Sequence, residues 1–516
     1  MKPIERVRIC VPVCERTSQA VRDASAKAAA IGDLVELRLD CLEDADLIAG
    51  LDQITEPLRR QGKAFVLTYR PEEQGGRRAL NADRRYEFWS TDLSSPGSFF
   101  DLELDIVERL LARDAASLTH PDWTRIICSH HDFVGTPPDL DEIYDRMART
   151  RARILKIAVQ SEDITDCIRV FHLLDRARRE QREIIAIAMG EAGIATRILG
   201  PSRGSFLTYG ALENESATAP GQISAGELRS LYRIDTINKK TQVLGLAGWP
   251  VAHSISPQIQ NLAFESKGLD SVYMPFAVRD IASFITRMVH PHTREIDWNM
   301  RGLSVTAPHK SAVINCLDWI EPAAREIGAV NTIVVEDEGL HGYNTDAGAF
   351  ISTLIGRVGE LRNARCAVIG AGGAASAALW GLKQERAEVT LYARDIDKAR
   401  SLAERFGTMW ESLGPAPFDG FDVVINATTL GTSGGQETET PAIAAQLGGA
   451  RLAYDLVYNP VETRFLSEAR DAGCDVLGGL EMLVEQAAAQ FRLWTGMQAP
   501  EEVMRDAALG SLRPKS

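Results

Sequence analysis

The stretch RILKIAV, residues 153–159, alternates side chains as a buried strand does and is one of eight such runs in the first half of the chain. Helix-like stretches separate the runs, so this half reads as eight βα units. The count predicts an α/β fold that begins with a parallel (β/α)8 TIM barrel, and a doubly wound sheet is the alternative that the pattern leaves open. The eight runs are VRICVPV (7–13), DLVELRL (33–39), AFVLTYR (64–70), FFDLEL (99–104), RIICSH (125–130), RILKIAV (153–159), EIIAIAM (183–189) and SFLTYG (205–210).

Two segments interrupt this pattern before a second alternation of strands and helices begins. Residues 211–222 are small and polar and contain proline and glycine, a composition typical of a loop that closes over a site. Residues 223–240 read as a helical connector, and TQVLGLAG (241–248) opens the second alternation. The boundary between the two halves is therefore predicted near residue 235.

Composition and charge exclude several classes of partner. The 516 residues are 45% hydrophobic and 25% charged, as expected for two to four globular domains. The net charge of −14 argues against nucleic acid and anionic membrane partners. No apolar run approaches the ~20 residues that span a bilayer, and MKPIER leads directly into a strand rather than a targeting peptide. We therefore expect a cytoplasmic protein; its oligomeric state cannot be inferred from these features.

The eight cysteines show no metal-binding or redox spacing. There is no C-x-x-C pair, and Cys10 and Cys14 are four residues apart. Cys10, Cys128 and Cys366 lie in apolar strand-like runs. We therefore expect reduced thiols, with neither a disulfide nor a metal site.

A charged trio occupies one face of the second predicted strand. In VELRLD, Glu36, Arg38 and Asp40 alternate with apolar residues. In a barrel the apolar face meets the helices, so the three charges project into the lumen. Buried charges are costly unless they bind one another or a polar ligand, which makes the trio a candidate binding element. A solvated edge strand is the alternative.

Lys156 and His131 are the candidate reactive groups of the barrel. Lys156 shares the inward face with Ile154 and Ala158, and apolar surroundings would favour its neutral amine, which can attack a ketone to form a Schiff base. The alternative is a strand-end lysine that reaches solvent. His131 falls at the carboxyl end of the fifth strand, where barrel active sites lie, and suits proton removal near neutral pH.

Two arginines could hold a substrate carboxylate at the same rim. Arg70 ends the third strand, and Arg197 lies near the end of the seventh βα unit. A guanidinium binds a carboxylate through two parallel hydrogen bonds. Residues from several strands that meet at one mouth are a stronger signal than any of them alone.

The first half resembles the type I 3-dehydroquinate dehydratases over residues 5–232. The motifs that carry the resemblance are VELRLD, LTYRP followed by GG, SHHDFVGTP, ILKIAV, MGEAGIATR and ATAPGQI. It implies that Lys156 forms an imine with the substrate ketone, and that His131 removes the adjacent proton and returns one to the leaving hydroxyl. His130 is assigned to packing.

The resemblance also implies substrate contacts. Glu36 and Arg38 would orient ring hydroxyls, and Arg197 would pair with the carboxylate. Thr218 and Gln222 would come from the closing loop. One departure is Gln74, where the family often has Glu before the paired glycines.

RCAVIGAGGAASAAL (365–379) reads as a buried strand, a glycine turn and a helix start, the pattern of a Rossmann-like nucleotide-binding unit. Its glycines would let the backbone approach a pyrophosphate at the helix N-terminus. The next strand ends in Arg394, which could bind a 2′-phosphate and favour NADP, and Asp395, which could favour NAD. Because Arg394 comes first after the strand, we predict NADP and regard NAD as the alternative. The residues predicted to line the cofactor site here are Gly370, Ala371, Gly372, Gly373, Ala374 and Arg394.

The second half resembles shikimate dehydrogenase over residues 241–500. The motifs are AGWPVAHSISP, GLSVTAPHK, GAVNTI, GYNTDAGAF, NATTLGT, YDLVYNP and GGLEMLVEQAA. The resemblance implies that Lys310 and Asp346 flank the reacting oxygen, with Lys310 the proton donor. A departure is Ser304, where many bacterial members have Asn. The further residues that it assigns are Ser254, Ser256, Thr306, Asn331, Tyr458 and Gln486 for substrate and Asn426, Thr428 and Gly479 for cofactor.

Together the resemblances predict a bifunctional shikimate-pathway enzyme whose first product, 3-dehydroshikimate, is its second substrate. The predicted domains are a barrel over 1–234, a substrate-binding domain over 241–346 completed by 478–516, and a nucleotide-binding domain over 347–477. One alternative is a dehydrogenase directed at quinate. Two others are a regulatory pseudo-enzyme and an inert scaffold, and the presence of both lysines, His131 and Asp346 argues against them.

Overall fold

The computed structural model describes residues 7–91, 98–114, 121–213, 218–415 and 417–512. The chain forms two compact units. The first runs to Thr241 and includes Met274–Met288 and Glu295–Asn299; the second comprises Gln242–Tyr273, Val289–Arg294 and the chain from Met300 onward.

The first unit contains the predicted barrel of eight parallel strands, in the order β7-β6-β5-β4-β3-β2-β1-β8. A bridge joins Ile184 of β7 to Ser205, three residues before β8, and the Phe206 amide donates to the Ile184 carbonyl at 2.7 Å, so the barrel is nearly closed. The barrel prediction is therefore confirmed over the doubly wound sheet. The strands are β1 Ile9–Val13, β2 Leu34–Arg38, β3 Ala64–Thr68, β4 Ser98–Glu103, β5 Ile126–Asp132, β6 Ile154–Gln160, β7 Glu183–Met189 and β8 Thr208–Tyr209.

Helices follow the barrel strands in sequence and cover their outward apolar faces. Helix α6, for example, buries Ile168, Phe171 and Leu174, and its last turn is basic, which suits the negative end of the helix dipole. The helices of this unit are α1 Ser18–Ile31, α2 Asp44–Arg60, α3 Ala82–Thr91, α4 Leu104–Asp114, α5 Leu140–Ala148, α6 Cys167–Arg179, α7 Ile194–Leu199 and α8 Ala225–Ser230.

The inward side chains of the barrel form two layers of different chemistry. The lower layer, near the amino ends of the strands, is apolar and includes Val66, Ile127 and Ile154. Two residues further along two of these strands stand Thr68 and Lys156, so the same alternation that builds an apolar floor also places polar groups above it. The site therefore rests on a rigid hydrophobic base.

A six-stranded sheet has the order β10-β9-β11-β13-β14-β12. Strands β11, β13 and β14 pair antiparallel, whereas β12 pairs parallel with β14. The strands are β9 Gln242–Gly248, β10 Ser271–Ala277, β11 Asn299–Val305, β12 Trp319–Ile320, β13 Thr332–Val335 and β14 Leu340–Tyr343. The helices are α9 Ser256–Ser266, α10 Ile281–Phe284, α11 Pro322–Ile327 and α12 Thr345–Val358, with α17 Leu480–Thr495 and α18 Glu501–Leu512 from the end of the chain.

A third sheet is parallel throughout, with order β17-β16-β15-β18-β19-β20. Separate apolar cores cover its two faces, as expected for a doubly wound nucleotide-binding sheet. The Rossmann-like prediction is confirmed. The strands are β15 Arg365–Ile369, β16 Glu388–Ala393, β17 Met409–Ser412, β18 Val423–Asn426, β19 Leu452–Asp455 and β20 Asp475–Leu477, and the helices are α13 Gly373–Gln384, α14 Ile396–Phe406, α15 Ala444–Leu447 and α16 Arg464–Asp471.

Local differences from the sequence predictions have simple causes. Strand β8 has two residues rather than six, because only a single bridge joins the preceding residues to β7. The helix predicted over 223–240 is confined to Ala225–Ser230, after which Arg233 adopts a left-handed backbone with φ of 50°. Asp40 lies in a 3-10 turn rather than on the strand.

The expectation that all cysteines are reduced is wrong for one pair. Cys14, just after β1, and Cys41, just after β2, form a disulfide. The two residues are 27 positions apart and come together because β1 and β2 are adjacent parallel strands that end at the same edge. The other six cysteines are free.

In the part of the chain that the structure describes, no helix combines the length and apolar character needed to cross a membrane. Nor do its His, Cys, Asp and Glu side chains form a group of three that could hold a metal ion.

We predict that the Cys14–Cys41 disulfide stabilises the barrel mainly by restricting its unfolded chain. For a loop of 27 residues the entropic contribution is roughly 3 to 4 kcal/mol. The double substitution Cys14→Ser and Cys41→Ser should lower the opening free energy of barrel peptides in hydrogen exchange by this amount. Peptides from the third sheet are the internal control, and equal protection of barrel peptides in both proteins would contradict the prediction.

Candidate active sites

All eight residues predicted for the barrel site line one small cavity, of about 50 Å³, at the carboxyl ends of the strands. Strands β2, β3, β5 and β6 supply its reactive side chains, and the segment after β8 covers it. The eight residues are Glu36, Arg38, Arg70, His131, Lys156, Arg197, Thr218 and Gln222.

Lys156 is buried, but its surroundings are ionic rather than apolar as expected. Its ammonium lies 2.7 Å from a carboxylate oxygen of Asp101 and 3.4 Å from one of Glu36. The ring of Tyr209 lies beneath the ammonium, 4.5 Å from it. Only the inward neighbours of Lys156 on its own strand are apolar. The carboxylates of Asp101 and Glu36 come from other strands, so the pattern of β6 alone does not show them.

Asp101 and Glu103 are site-forming residues that the sequence analysis missed. Both are inaccessible to solvent on β4. Asp101 also contacts the Arg70 guanidinium at 2.7 Å, and Glu103 accepts from Arg85 at 2.9 Å. The signal was present in FFDLEL, where two acidic residues alternate with apolar ones as in VELRLD.

His131 is held as a neutral base. Arg70 donates to its Nδ1 at 2.5 Å, so that nitrogen is the acceptor and the proton belongs on Nε2. Burial, reinforced by the charges of Arg70 and Lys156, lowers the pKa of His131 well below its usual value. The Gln74 side chain accepts from the His131 amide at 3.2 Å, which gives this departure from the family pattern a structural role. His130 does not line the cavity.

Arg38 is fixed by its own neighbours. It donates to both oxygens of Asp40 at 2.9 and 2.8 Å, and to the Gly75 carbonyl at 3.0 Å. The Asp40 carboxylate accepts in addition from the Arg77 amide at 3.0 Å. The disulfide at Cys41 therefore adjoins the turn that positions Arg38.

Arg197 differs from the other buried cations of the site. It is 1% exposed, and the described residues provide it with no carboxylate partner. Burial lowers the pKa of Arg197 to about 10. Its guanidinium donates to the Pro220 carbonyl at 3.1 Å. A buried guanidinium without a counter-ion is the feature expected of a site that binds a carboxylate.

Thr218 and Gln222 contribute to the cavity from the far side. The Thr218 amide donates to the Gln222 side-chain oxygen at 2.8 Å, which closes a tight loop. Gly221, with φ of 68°, packs so closely on Gly190 that an added Cβ would lie 2.0 Å from its carbonyl oxygen. Residues 214–217 of the predicted closing loop lie outside the described residues.

A second site in the second unit centres on a lysine and an aspartate. Lys310 Nζ lies 2.5 Å from the Asp346 carboxylate, whose other oxygen accepts from Asn331 at 2.8 Å. Asn331 accepts in turn from the Thr345 amide at 2.8 Å. All three functional side chains line a cavity of about 200 Å³.

Hydroxyl and amide groups complete this cavity. Ser254 donates to Ser256 at 3.1 Å. Burial raises the pKa of the Tyr458 phenol, and its hydrogen-bonding contact with Ser254 partly offsets the rise. Thr306 and Gln486 also line it, so every predicted substrate residue of this half is present. Gly479, which was predicted for the cofactor site, lines this cavity and not the cofactor cleft.

Ser304 and Gln490 form a part of this site that was not assigned. Tyr273 donates to Ser304 at 2.7 Å, and Ser304 donates to the Gln490 side chain at 2.7 Å. Gln490 then donates to Thr332 at 3.0 Å, next to Asn331. The sequence did contain a signal for Gln490: it follows Gln486 by four residues, about one helical turn, and therefore lies on the same face of the helix.

An adjoining cleft of about 590 Å³ fits a dinucleotide. Gly372, Gly373, Ala374 and Thr428 line it, and an added Cβ at Gly372 would meet nothing within 4 Å, which leaves room for a pyrophosphate at the start of α13. Gly370, with φ of 122°, makes the turn beneath. Gly370 and Ala371 therefore shape the turn without lining the cleft.

Asn426 and Arg394 were predicted to line the cofactor site, but neither lines the cleft. Asn426 is fully buried, donates to Asp455 at 2.9 Å and accepts from the Thr428 amide at 3.0 Å, so it supports the loop from below. Arg394 is exposed just after β16. Asp395 caps α14 by accepting from the Lys398 amide at 3.1 Å, and this bond lowers the pKa of the Asp395 carboxyl.

These features define a two-part α/β enzyme: a barrel with an ion-paired lysine at its mouth, followed by a dinucleotide-dependent oxidoreductase. Residues 9–239 match the type I 3-dehydroquinase family. Residues 246–333 match the shikimate dehydrogenase substrate binding domain, and residues 479–509 match the shikimate 5′-dehydrogenase C-terminal domain.

Known proteins agree with this division. A chloroplastic bifunctional 3-dehydroquinate dehydratase/shikimate dehydrogenase of Arabidopsis thaliana is 34% identical over 96% of this chain and 83% of its own. A Geobacter metallireducens shikimate dehydrogenase (NADP(+)) is 39% identical over 54% of this chain and 99% of its own. A crystal structure of a shikimate dehydrogenase in complex with NADP+ is 35% identical, covers 54% of this chain and 98% of its own, and superposes with a TM-score of 0.50. The chain belongs to the family of bifunctional 3-dehydroquinate dehydratase/shikimate dehydrogenases.

We predict that ionisation of Glu103 destabilises the barrel as the pH rises towards neutrality. Burial raises the pKa of Glu103 to about 7, although Arg70 and Arg85 oppose the rise. Because the pKa is raised in the folded state, this stabilisation is complete below pH ~4.5 and is lost as the pH passes 7, by about 3 kcal/mol in total. Hydrogen exchange of β4 and β5 peptides at pH 5 and 7.5 should show a smaller pH effect in Glu103→Gln, and an unchanged effect would contradict the prediction.

Proposed function

We propose that the barrel dehydrates 3-dehydroquinate to 3-dehydroshikimate through an imine on Lys156, and that the second unit reduces 3-dehydroshikimate to shikimate with NADPH. The observation that supports the barrel assignment best is Arg197, a buried cation without a carboxylate partner in the described residues, in the same cavity as Lys156. A small anion with a ketone is the ligand that satisfies both groups.

Imine formation begins when the neutral amine of Lys156 attacks the ketone carbon. The ketone oxygen leaves as water, and the nitrogen remains bonded to the ring carbon. The protonated imine withdraws electrons from the adjacent carbon, so the proton there becomes more acidic. Glu36 lies 3.4 Å from the lysine nitrogen and can also accept a hydrogen bond from a ring hydroxyl. Arg38 is fixed in place by its hydrogen bond to Asp40.

His131 is the base that the geometry favours. Its Nδ1 is occupied by Arg70 at 2.5 Å, which leaves Nε2 to exchange protons with the substrate. It removes the proton next to the imine carbon and then returns a proton to the leaving hydroxyl, which departs as water and leaves the imidazole neutral. Hydrolysis of the imine then releases 3-dehydroshikimate and restores Lys156.

In the second site the bound NADPH supplies a hydride to the ketone carbon. Lys310 donates a proton to the ketone oxygen, and Asp346, 2.5 Å away, stabilises and orients the ammonium. Asn331 fixes Asp346 through its side-chain amide at 2.8 Å. Ser254, Ser256 and Tyr458 form a hydroxyl-rich corner that suits the carboxylate, and Gln486 suits a ring hydroxyl.

The cofactor and the domain limits complete the proposal. The clear space at Gly372 and the start of α13 would hold the pyrophosphate of the cofactor. Arg394, exposed just after β16, would pair with a 2′-phosphate, while the Asp395 carboxylate caps α14. The domains are 1–234, 241–346 with 478–516, and 347–477. Small metabolites are the ligands of both sites. A cytoplasmic location stays a prediction, since the Arabidopsis relative is chloroplastic.

The coupled reaction tests the whole proposal. Supplied with 3-dehydroquinate and NADPH only, the protein should oxidise NADPH and yield shikimate. Lys156→Met should abolish this reaction but retain reduction of added 3-dehydroshikimate, whereas Lys310→Met should accumulate 3-dehydroshikimate. Loss of both activities in either variant, with the fold intact, would argue against two independent sites.

The role of Arg197 is tested by Arg197→Lys and Arg197→Met. The charge-assisted pair with the substrate carboxylate contributes enough that KM for 3-dehydroquinate should rise roughly tenfold to hundredfold in Arg197→Met. Arg197→Lys should be intermediate, because it retains the charge without the planar fork. Steady-state dehydration kinetics give KM and kcat, reduction of 3-dehydroshikimate is the control, and an unchanged KM would refute the assignment.

A further inference from the structure

Asp101 stands at the centre of the charged layer of the barrel. One oxygen lies 2.7 Å from the Lys156 nitrogen and the other 2.7 Å from an Arg70 nitrogen. Its side chain is inaccessible to solvent, so it does not exchange these partners for water.

We propose that Asp101 is the permanent counter-ion of the Lys156 nitrogen throughout dehydration and a positioning residue for the protonated imine. The proposal rests on the imine chemistry proposed for Lys156.

Charge conservation explains why a fixed counter-ion serves this reaction. An ammonium and a ketone give a protonated imine and one water, so the nitrogen carries one positive charge before and after the bond forms. The C–N bond replaces the C–O bond, two nitrogen protons leave with the oxygen, and no net proton is taken up or released. A carboxylate 2.7 Å from that nitrogen therefore stabilises both states without moving.

The number of N–H groups on the nitrogen favours Asp101 over Glu36 as the partner of the imine. The ammonium has three N–H groups, but the protonated imine has one. Asp101 accepts at 2.7 Å, whereas Glu36 lies at 3.4 Å and already accepts from Thr68 at 2.8 Å. When the imine forms, the remaining N–H is expected to stay on Asp101, which fixes the imine plane and leaves Glu36 for a substrate hydroxyl.

Asp101 remains ionised under working conditions. Burial alone would raise the pKa of its carboxyl, but Arg70 and Lys156 outweigh burial and hold the pKa far below its usual range. The titratable and charged groups that face Lys156 across the barrel are Cys10, Glu36, Arg70, Asp101, His131 and Tyr209.

If Asp101 served only as the structural partner of Arg70, its contact with the Lys156 nitrogen would have no explanation. Arg70 has other acceptors in Ser129 at 3.2 Å and His131 at 2.5 Å, and Glu103 lies 3.6 Å away. The Lys156 ammonium has no other carboxylate within 3 Å among the described residues.

Borohydride trapping measures the imine directly. Hydride reduces the C=N bond to a stable secondary amine, and mass spectrometry gives the fraction of chains modified on incubation with 3-dehydroquinate. In Asp101→Asn, kcat for dehydration should fall roughly tenfold to hundredfold, because the plane of the protonated imine is no longer fixed by a charged hydrogen bond. The acid limb of the trapping profile should move to lower pH, because a cation without its counter-ion releases a proton more readily.

Asp105→Asn is the matched control. It also removes one carboxylate, 2.8 Å from Arg85 and half exposed, but it does not contact Lys156. It should keep the wild-type trapping fraction and pH profile. Reduction of 3-dehydroshikimate by each variant reports whether the chain is intact.

The outcomes separate this inference from the proposed function. Absence of trapping in the wild-type chain would overturn the imine itself. Trapping in wild type with an unshifted profile in Asp101→Asn would overturn only the counter-ion role. If Asp101→Asn does not fold, Asp101→Ser decides in the same assay: an acid limb shifted to lower pH supports the role, and an unshifted limb refutes it.

Discussion

The pairing of charges that have no access to water is the constraint on which the barrel depends. An ion moved into a protein interior loses several kcal/mol of hydration, so each must find a partner or a ligand. Among the described residues, four buried carboxylates pair with four buried cations in and around the barrel, and one further buried cation has no carboxylate partner. The carboxylates are those of Glu36, Asp40, Asp101 and Glu103, and the paired cations are Arg38, Arg70, Arg85 and Lys156. The cation without a carboxylate partner is Arg197. A single unmatched positive charge suits a substrate that carries one carboxylate.

The two units use a lysine–carboxylate pair for different purposes, and burial separates them. The Lys156 side chain is 7% exposed and its partner Asp101 is fully enclosed, conditions that favour a covalent intermediate protected from water. The Lys310 side chain is 22% exposed, and proton donation to a nascent alkoxide requires that the lysine be reprotonated from solvent after each turnover. The same pair of residue types thus supports bond formation in one unit and proton supply in the other.

Most of the site prediction rested on the alternation of inward and outward side chains along single strands, and the residues that it missed have a physical explanation. The period of two in VELRLD and ILKIAV placed Glu36 and Lys156 correctly inside the barrel, because strand geometry alone determines the face. It could not show that Asp101 lies beside Lys156, since that contact depends on which strands are neighbours: β4 and β6 both flank β5. The Cys14–Cys41 disulfide has the same origin. Asn426 was assigned to the cofactor site because a motif gives proximity to a cleft but not the direction of a side chain.

The hydrogen bond between Arg197 and the Pro220 carbonyl makes substrate binding an exchange rather than a gain. The Pro220 carbonyl, in the segment that follows β8, accepts from this guanidinium at 3.1 Å. A substrate carboxylate must either displace that carbonyl or share the cation with it, so the observed affinity is the difference between two interactions. The same bond makes the position of this segment depend on the ligand. A molecule without a carboxylate cannot replace the Pro220 carbonyl as the acceptor for Arg197, so the segment keeps its hydrogen bond.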